Sequence, residues 1–216
     1  MIRVEKLGIT AYPDALGRMR DHVARRADRQ RPMDDELWLT EHPPVYTLGF
    51  ASRPEHLRAT GDIPIVATER GGQVTYHGPG QAIGYLLLDL RRRKLGVREL
   101  VCRIEQGIID CVAQYGIEGM RKPSAPGIYV HPKSAPHGSP LAKIASIGLK
   151  VSRGLTWHGV AVNGCMELEP FNRIDPCGYP GLQMTDVRDE AGTHVEESLK
   201  HLPDRLAAAL IAAIEG

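Results

Sequence analysis

A cysteine stands in the stretch RIDPCGYPG (173–181), where Pro176, Gly178, Pro180 and Gly181 argue against any regular helix or strand. Structural cysteines usually pack as small hydrophobes on the apolar faces of such elements. A thiol held on a Pro- and Gly-shaped loop suits nucleophilic chemistry instead. Only about a few per cent of an unassisted thiol is ionised at pH 7, so a nucleophile here needs a cation or a base beside it. Lys143 or a histidine can supply that help. No GxSxG elbow is present and no Ser/His/Asp set can be picked out, which favours thiol over serine chemistry.

Lys143 opens KIASIGLKV (143–151). Ala145, Ile147, Leu149 and Val151 form the apolar side of an alternating strand; Lys143 shares their parity, and Lys150 falls on the wetter face. A lysine continuing a core-facing row either snorkels at the strand end or is held in a pocket, and both readings stay open. Beside a cysteine it would stabilise a thiolate, and desolvated it could act as a base. His158 shares parity with Val160 and Val162, which fits a satisfied core histidine better than a catalyst. A metal site of His158, Cys165 and Cys177 matches no common zinc spacing, so no metal is expected.

The stretch RGGQVTYHGPGQ (70–81) has glycines that let backbone approach a ligand closely. It is neither a Walker A loop, lacking GK[ST], nor a GxGxxG turn opening a helix. Arg70, Tyr76, His77 and Gln81 tilt it towards a binding loop rather than a plain turn. The run LRRRKLGVREL (90–100) concentrates Arg91, Arg92, Arg93, Lys94 and Arg98. Such a run is by default a solvated face. If it binds anything, an acidic protein surface fits better than nucleic acid, because only 5% of residues are aromatic and the net charge is +1.

These residues must be positioned by a real core, and 42% apolar with 25% charged residues in 216 allows one. A single domain, 1–216, is expected. Helices are expected over 12–30, 95–118 and 202–216; Leu16, Met19 and Val23 stripe the first, and Leu100, Ile104, Ile108 and Val112 the second. Cys111 lies on or beside that second stripe as core packing; Cys102 has nothing catalytic near it. Strands are expected in 35–49 (two, broken at Pro43-Pro44), 63–69, 82–90, 127–132 paired with 141–152, and 155–164. The joining loop 132–140 is longer than a tight hairpin needs. Interleaved helices and hairpins point to one α/β (α+β) domain with a mixed, largely antiparallel sheet flanked by helices, not a doubly wound one. The start MIRVEKLGITAYPDA lacks the apolar core of a secretory signal and no apolar run is long enough to span a bilayer, so a cytoplasmic protein with reduced thiols is expected, with no membrane or nucleic-acid partner.

Together, EHPPVYTLG (41–49), RGGQVTYHGPGQ (70–81), RRRKLGVREL (91–100), APGIYV (125–130), KIASIGLKV (143–151), HGVAVN (158–163) and FNRIDPCGYPG (171–181) resemble the lipoyl(octanoyl) transferases. That resemblance implies an acyltransferase moving octanoyl from acyl carrier protein to a lysine of lipoyl domains, such as those of 2-oxoacid dehydrogenase E2 subunits or the glycine cleavage H protein. It implies the fold of the biotin and lipoate protein ligase catalytic domain. Cys177 would carry the acyl group as a thioester, and Lys143 would lower the thiol's pKa and assist proton transfer. Arg70, Gly71, Gly72, Gln73, Val74, Thr75, Tyr76, His77, Ser146, Ile147, Gly148, His158, Gly159 and Val160 would line the acyl pocket. Backbone N–H groups near His77-Gly78 or Lys143-Ile144 would stabilise the tetrahedral intermediate. No cofactor is implied beyond the phosphopantetheine that delivers the acyl group, the basic run 91–98 would dock the carrier, and a monomer is the default.

Overall fold

The computed structural model describes residues 1–27, 34–136 and 138–216. In chain order the strands are β1 (Ile2–Ile9), β2 (Asp35–Glu41), β3 (Val45–Leu48), β4 (Ile65–Ala67), β5 (Val74–His77), β6 (Gln81–Leu87), β7 (Met120–Arg121), β8 (Gly127–Val130), β9 (Ala142–Ser152) and β10 (Leu155–Asn163). The α-helices are α1 (Tyr12–Ala27), α2 (Leu90–Arg93), α3 (Val97–Ala113), α4 (Val187–Ala191), α5 (Glu196–Leu199) and α6 (Leu202–Glu215). Among the described residues seven strands form one sheet in the order β1-β2-β6-β10-β9-β8-β7, and β4-β3-β5 form a smaller one. The large sheet is antiparallel except where β1 lies parallel to β2. The expected mixed sheet flanked by helices is therefore what the chain builds.

The centre of the large sheet shows why its strands read as apolar runs rather than alternating ones. Every residue of β6 is buried, because helices or the small sheet cover both faces. Ala82 and Leu86 face a core built with α3 and α6, where Leu100, Ile104, Ile108, Leu206 and Leu210 are buried completely or nearly so. Ile83, Tyr85 and Leu87 face the other way, against Tyr12, Leu16 and Met19 of α1. The small sheet adjoins this second face and joins Phe171, Ile174 and Met166 in a third cluster. The catalytic candidates lie where these two sheets meet.

Several boundaries differ from expectation for identifiable reasons. The strand expected over 82–90 ends at Leu87, because the Asp89 carboxylate accepts from the N–H groups of Arg91 and Arg92 and caps α2. The helix expected over 95–118 stops at Ala113, and the chain then turns through Gly116 at φ 73°. The strand expected over 63–69 shortens to β4. β1 was signalled by nothing in the sequence pattern, since it is an edge strand in which only Ile2 is buried. The last residues of the helix expected over 12–30, and position 137 of loop 132–140, lie outside the described residues; before it that loop makes a turn in which Ala135 N–H donates to Pro132 O.

Candidate active site

A β-bulge positions Lys143. Ile128 of β8 pairs with Ala145, yet its neighbour Tyr129 pairs with Lys143, so β9 carries one extra residue at Ile144. Period-2 alternation breaks there. Ala142, Ile144 and Ala145 all join the α3–α6 core, while Lys143 emerges on the opposite face with its side chain 2% exposed. The parity argument thus put Lys143 on the wrong face, and of the two open readings the structure supports the pocket, not the snorkel. There its ammonium donates to Pro126 O at 2.9 Å and to Cys177 Sγ at 3.3 Å, and lies 5.1 Å from the centre of the Tyr129 ring. Gly127 makes room for it. At φ 125° it adopts a backbone that side chains disfavour, and a Cβ there would meet Lys143 Cε at 2.5 Å.

The thiol arrives from the other side. Pro176–Gly178 is a single tight turn in which Gly178 N–H donates to Asp175 O at 2.8 Å and Tyr179 N–H to Pro176 O at 3.1 Å. Cys177 sits at φ 56°, ψ 20°, a left-handed conformation costing a non-glycine residue about 1–3 kcal/mol. Arg58 pairs with the Asp175 carboxylate, and Asp175 N–H donates to His56 O at 2.8 Å, so the entry to the turn is fixed. Gly178 (φ 71°) is required by its conformation and by the Gln73 side-chain amide, which a Cβ would meet at 2.5 Å.

The electrostatics favour a charged Lys143. Burial opposes the charge on Lys143, but the adjoining Cys177 and Tyr129 outweigh it, and its pKa lies above the ordinary lysine value. Burial also lowers the Arg70 pKa, an effect that Tyr12 and Cys177 oppose, so Arg70 is a second cation within electrostatic reach of the thiol. Arg70 is held by its donations to Thr47 O and Gln73 O, each at 2.7 Å.

A buried polar chain ties these two halves together. Thr47 Oγ1 accepts from Arg70 and meets His77 Nε2 at 3.3 Å; His77 Nδ1 meets Gln81 Oε1 at 2.7 Å. Gln81 Nε2 then donates to Asn163 Oδ1, Asn163 Nδ2 to Thr185 O, and Thr185 N–H to Lys143 O. Burial pushes the His77 pKa down to about 3, so its ring is neutral in this chain of contacts. His158 is likewise pushed down to about 3 by burial.

The cleft leading from Cys177 is narrow, with an open volume of about 50 Å³. Of the residues expected to line it, Arg70, Gly72, Gln73, Val74, Thr75, His77, Ser146, Ile147, Gly148, His158, Gly159 and Val160 do so. Gly71 instead braces the loop by donating to Leu149 O at 2.8 Å. Tyr76 is not a lining residue: strand alternation turns it away to pack on Tyr46 and Phe171. His158 does not face the Val160/Val162 core that its parity suggested. Its φ of 58° turns the ring towards Tyr85 and Thr68, where Nε2 lies 3.4 Å from Thr68 Oγ1 and Nδ1 has no partner among the described residues. Lys143 N–H is spent on Gln183 O at 2.8 Å, which removes it from the expected oxyanion donors.

Sequence reasoning missed Tyr12, Ile83, Tyr85 and Ala161 in the cleft wall, and Gly127 and Tyr129 around Lys143. The glycine in APGIYV was the available signal; the tyrosines look like ordinary core residues. A larger cavity of about 530 Å³ between β1, β2 and the start of α6 holds neither Cys177 nor Lys143, so chemistry rather than size identifies the site. Cys165, far from His158, accepts from Arg188 at 3.0 Å, and no cluster of three metal-ligating side chains occurs among the described residues.

The basic run is not brought to the thiol. Arg92 and Arg93 pair with the buried Asp35 at 2.8 and 2.5 Å, Arg93 also with Glu215 at 3.5 Å. Leu90 N–H bonds to Gly154 O at 2.8 Å, which puts the run beyond the far end of β9, on the order of 35 Å of strand from Lys143 at about 3.3 Å per residue. Two of its five cations, Arg92 and Arg93, thus serve as an internal clamp on Asp35.

Comparison with known proteins bears directly on this geometry. The family model for the lipoyl protein ligase A/B catalytic domain matches residues 17–210. An octanoyltransferase of Pseudomonas entomophila is 51% identical over 192 residues, 89% of this chain and 84% of the relative. Among solved structures, a bi-partite lipoate protein ligase of Thermoplasma acidophilum superposes with a TM-score of 0.72 at 13% identity, over 99% of this chain and 83% of that one. The biotin protein ligase of Aquifex aeolicus follows with a TM-score of 0.51 at 10% identity, over 99% and 72%. At such identities the structural matches establish the fold alone.

Proposed function

Because this chain belongs to the lipoyl protein ligase A/B catalytic domain family, and within it to the octanoyltransferases, we propose that Cys177 is the nucleophile by which it transfers octanoyl, with Lys143 as the proton partner. Octanoyl transfer in protein lipoylation is the activity of the enzyme. The mechanism is our reading, and one observation carries it: a buried ammonium 3.3 Å from a loop thiol.

The donor is octanoyl carried as a thioester on the phosphopantetheine of acyl carrier protein, and the acceptor is a lysine of a lipoyl domain. The Cys177 thiolate attacks the thioester carbonyl, and collapse of the tetrahedral intermediate breaks the bond to the carrier sulfur. The departing thiolate takes a proton from Lys143. Acylation also removes the negative sulfur that had stabilised the ammonium, which leaves burial opposed by Tyr129 without Cys177 and shifts Lys143 towards its neutral form. Neutral Lys143 is then the base for the second half-reaction. The acceptor amine attacks the enzyme thioester, gives its proton to Lys143, and expels Cys177 as thiolate, which restores the starting ion pair. A thioester is activated relative to the amide product, so the cycle needs no ATP and no cofactor. With the N–H groups of Lys143 and His77 spent in backbone pairing, those of Ile144 and Gly78 are the donors left for the oxyanion.

Intact-protein mass spectrometry with octanoyl carrier protein and no ATP tests the reading. One octanoyl adduct, absent from Cys177→Ser and discharged by a lipoyl domain, is the expected result. Acylation of the lipoyl domain that requires ATP and free acid, with no adduct, would overturn it.

A further inference from the structure

The rim of the cleft carries two aromatic rings that the fold leaves uncovered. Of the two phenylalanines, Phe171 is buried at 2% exposure and Phe50 is 85% exposed. Phe50 is not on a loose loop: its N–H donates to Arg70 O at 2.9 Å, and Ala51 N–H to Gly72 O at 3.0 Å. A pinned backbone thus holds an apolar ring in water beside the glycines of the cleft. Across the opening, Tyr179 is 46% exposed two residues after the thiol. Exposed Gly72 and half-buried Gln73 connect the two rings, since the Gln73 amide abuts Gly178.

The charge at this rim is as distinctive as its aromaticity. Lys150 Nζ stands 5.9 Å from the Phe50 ring centre, and Lys122 Nζ 5.6 Å from the centre of Tyr129, the ring that Lys143 also approaches. Neither lysine has an acidic partner among the described residues. Arg92 and Arg93, by contrast, are committed to Asp35. An exposed ring beside an uncommitted cation at Phe50 and Lys150, with a second uncommitted cation at Lys122, is the composition of an interface for an anionic partner, and covering Phe50 would strengthen its contact with Lys150 by desolvation.

We propose that this rim (Phe50, Gly72–Gln73 and Tyr179, flanked by Lys150 and Lys122) is the docking surface for an acidic acyl-carrier domain. The proposal rests on the acyl-enzyme reading above for the identity of the donor. Two features single out the carrier. The carbonyl to be attacked must come within bonding distance of Cys177 at this opening. The arm that carries it ends in a phosphodiester, whose charge together with an acidic protein surface matches two unpaired ammonium groups.

Two measurements on the full chain test the proposal. Titration with fluorescently labelled octanoyl carrier protein reads docking whether or not a thioester forms, so it stands or falls apart from the acyl-enzyme reading. The double variant Lys122→Glu/Lys150→Glu should raise the Kd about tenfold or more and flatten its salt dependence; Phe50→Ala should raise it less, and Arg91→Glu should leave it unchanged. Acylation kinetics with octanoyl-pantetheine, which lacks the protein surface, should be unchanged in all of these variants. An unchanged Kd in the double variant would overturn the proposal. So would an equal loss with octanoyl-pantetheine, which would mean a damaged cleft. A defect confined to discharge by the lipoyl domain would assign the rim to the acceptor and overturn it too.

Discussion

Cys111 and Cys177 are the same side chain in opposite surroundings. Cys111 lies fully buried on the apolar stripe of α3, where burial pushes its thiol up to about 12. It is held as a small hydrophobe and kept protonated. Cys177 stands on a half-exposed turn in a left-handed conformation, with the Lys143 ammonium 3.3 Å from its sulfur. Reactivity is thus set by the backbone that presents the sulfur and by the charge beside it. A helix supplies neither, because its interior positions are fixed by packing.

Replacing the reactive sulfur is expected to have the largest effect. Cys177→Ser should abolish the octanoyl adduct and lower transfer by about 10³-fold or more, measured as kcat/KM for lipoyl-domain octanoylation. Lys143→Ala should follow with a loss of about 10²–10⁴-fold, and alkylation of Cys177 by iodoacetamide near pH 7 should slow as the contrast with Cys111 narrows. Unchanged alkylation would detach the lysine from the thiol. Gly127→Ala sharpens the point from a distance. It leaves both reacting groups in place but puts a methyl at the Lys143 side chain and a Cβ on a φ of 125°, so transfer should fall sharply and stability drop by about 1–3 kcal/mol in denaturant titration.

The neutral imidazoles around the cleft give a pH signature. His77 and His158 titrate near 3 in the folded protein, well below the ordinary histidine value near 6.5. Below about 6.5 the unfolded chain binds protons that the folded chain refuses, so stability present above that pH should be lost progressively as pH falls towards 3. The Tm of His158→Gln should depend less steeply on pH across that window than the wild type's does. Cys111→Ala should matter least: a loss of about 1 kcal/mol from the core, with octanoyl transfer unchanged.

Much of this was legible in advance because it is local. The α3 stripe and the turn residues of RIDPCGYPG each depend on neighbours a few positions away. Two errors share one cause. Lys143 and His158 were placed by strand parity, which holds only while the strand is regular, whereas Tyr76 was placed in the pocket by the family resemblance. An extra residue at Ile144 and a positive φ at His158 each reversed a side chain, and neither leaves a mark in hydrophobic pattern. Tyr76 obeyed its strand; composition simply could not tell which face of β5 bordered the cleft. The uptake of Arg92 and Arg93 was hidden for another reason: Asp35, which pairs with both, is more than fifty residues away in sequence.

The sequence by itself determined which groups were available for chemistry: a thiol that no helix or strand can absorb, a lysine at a strand start, and glycines where backbone must come close. Only the tertiary structure decided that these groups meet. The 3.3 Å between Lys143 and Cys177 depends on a bulge in one strand, a left-handed turn after β10, and a glycine in a third strand clearing the way. Contacts between distant segments are set by the packing of whole layers, which no local window of residues encodes.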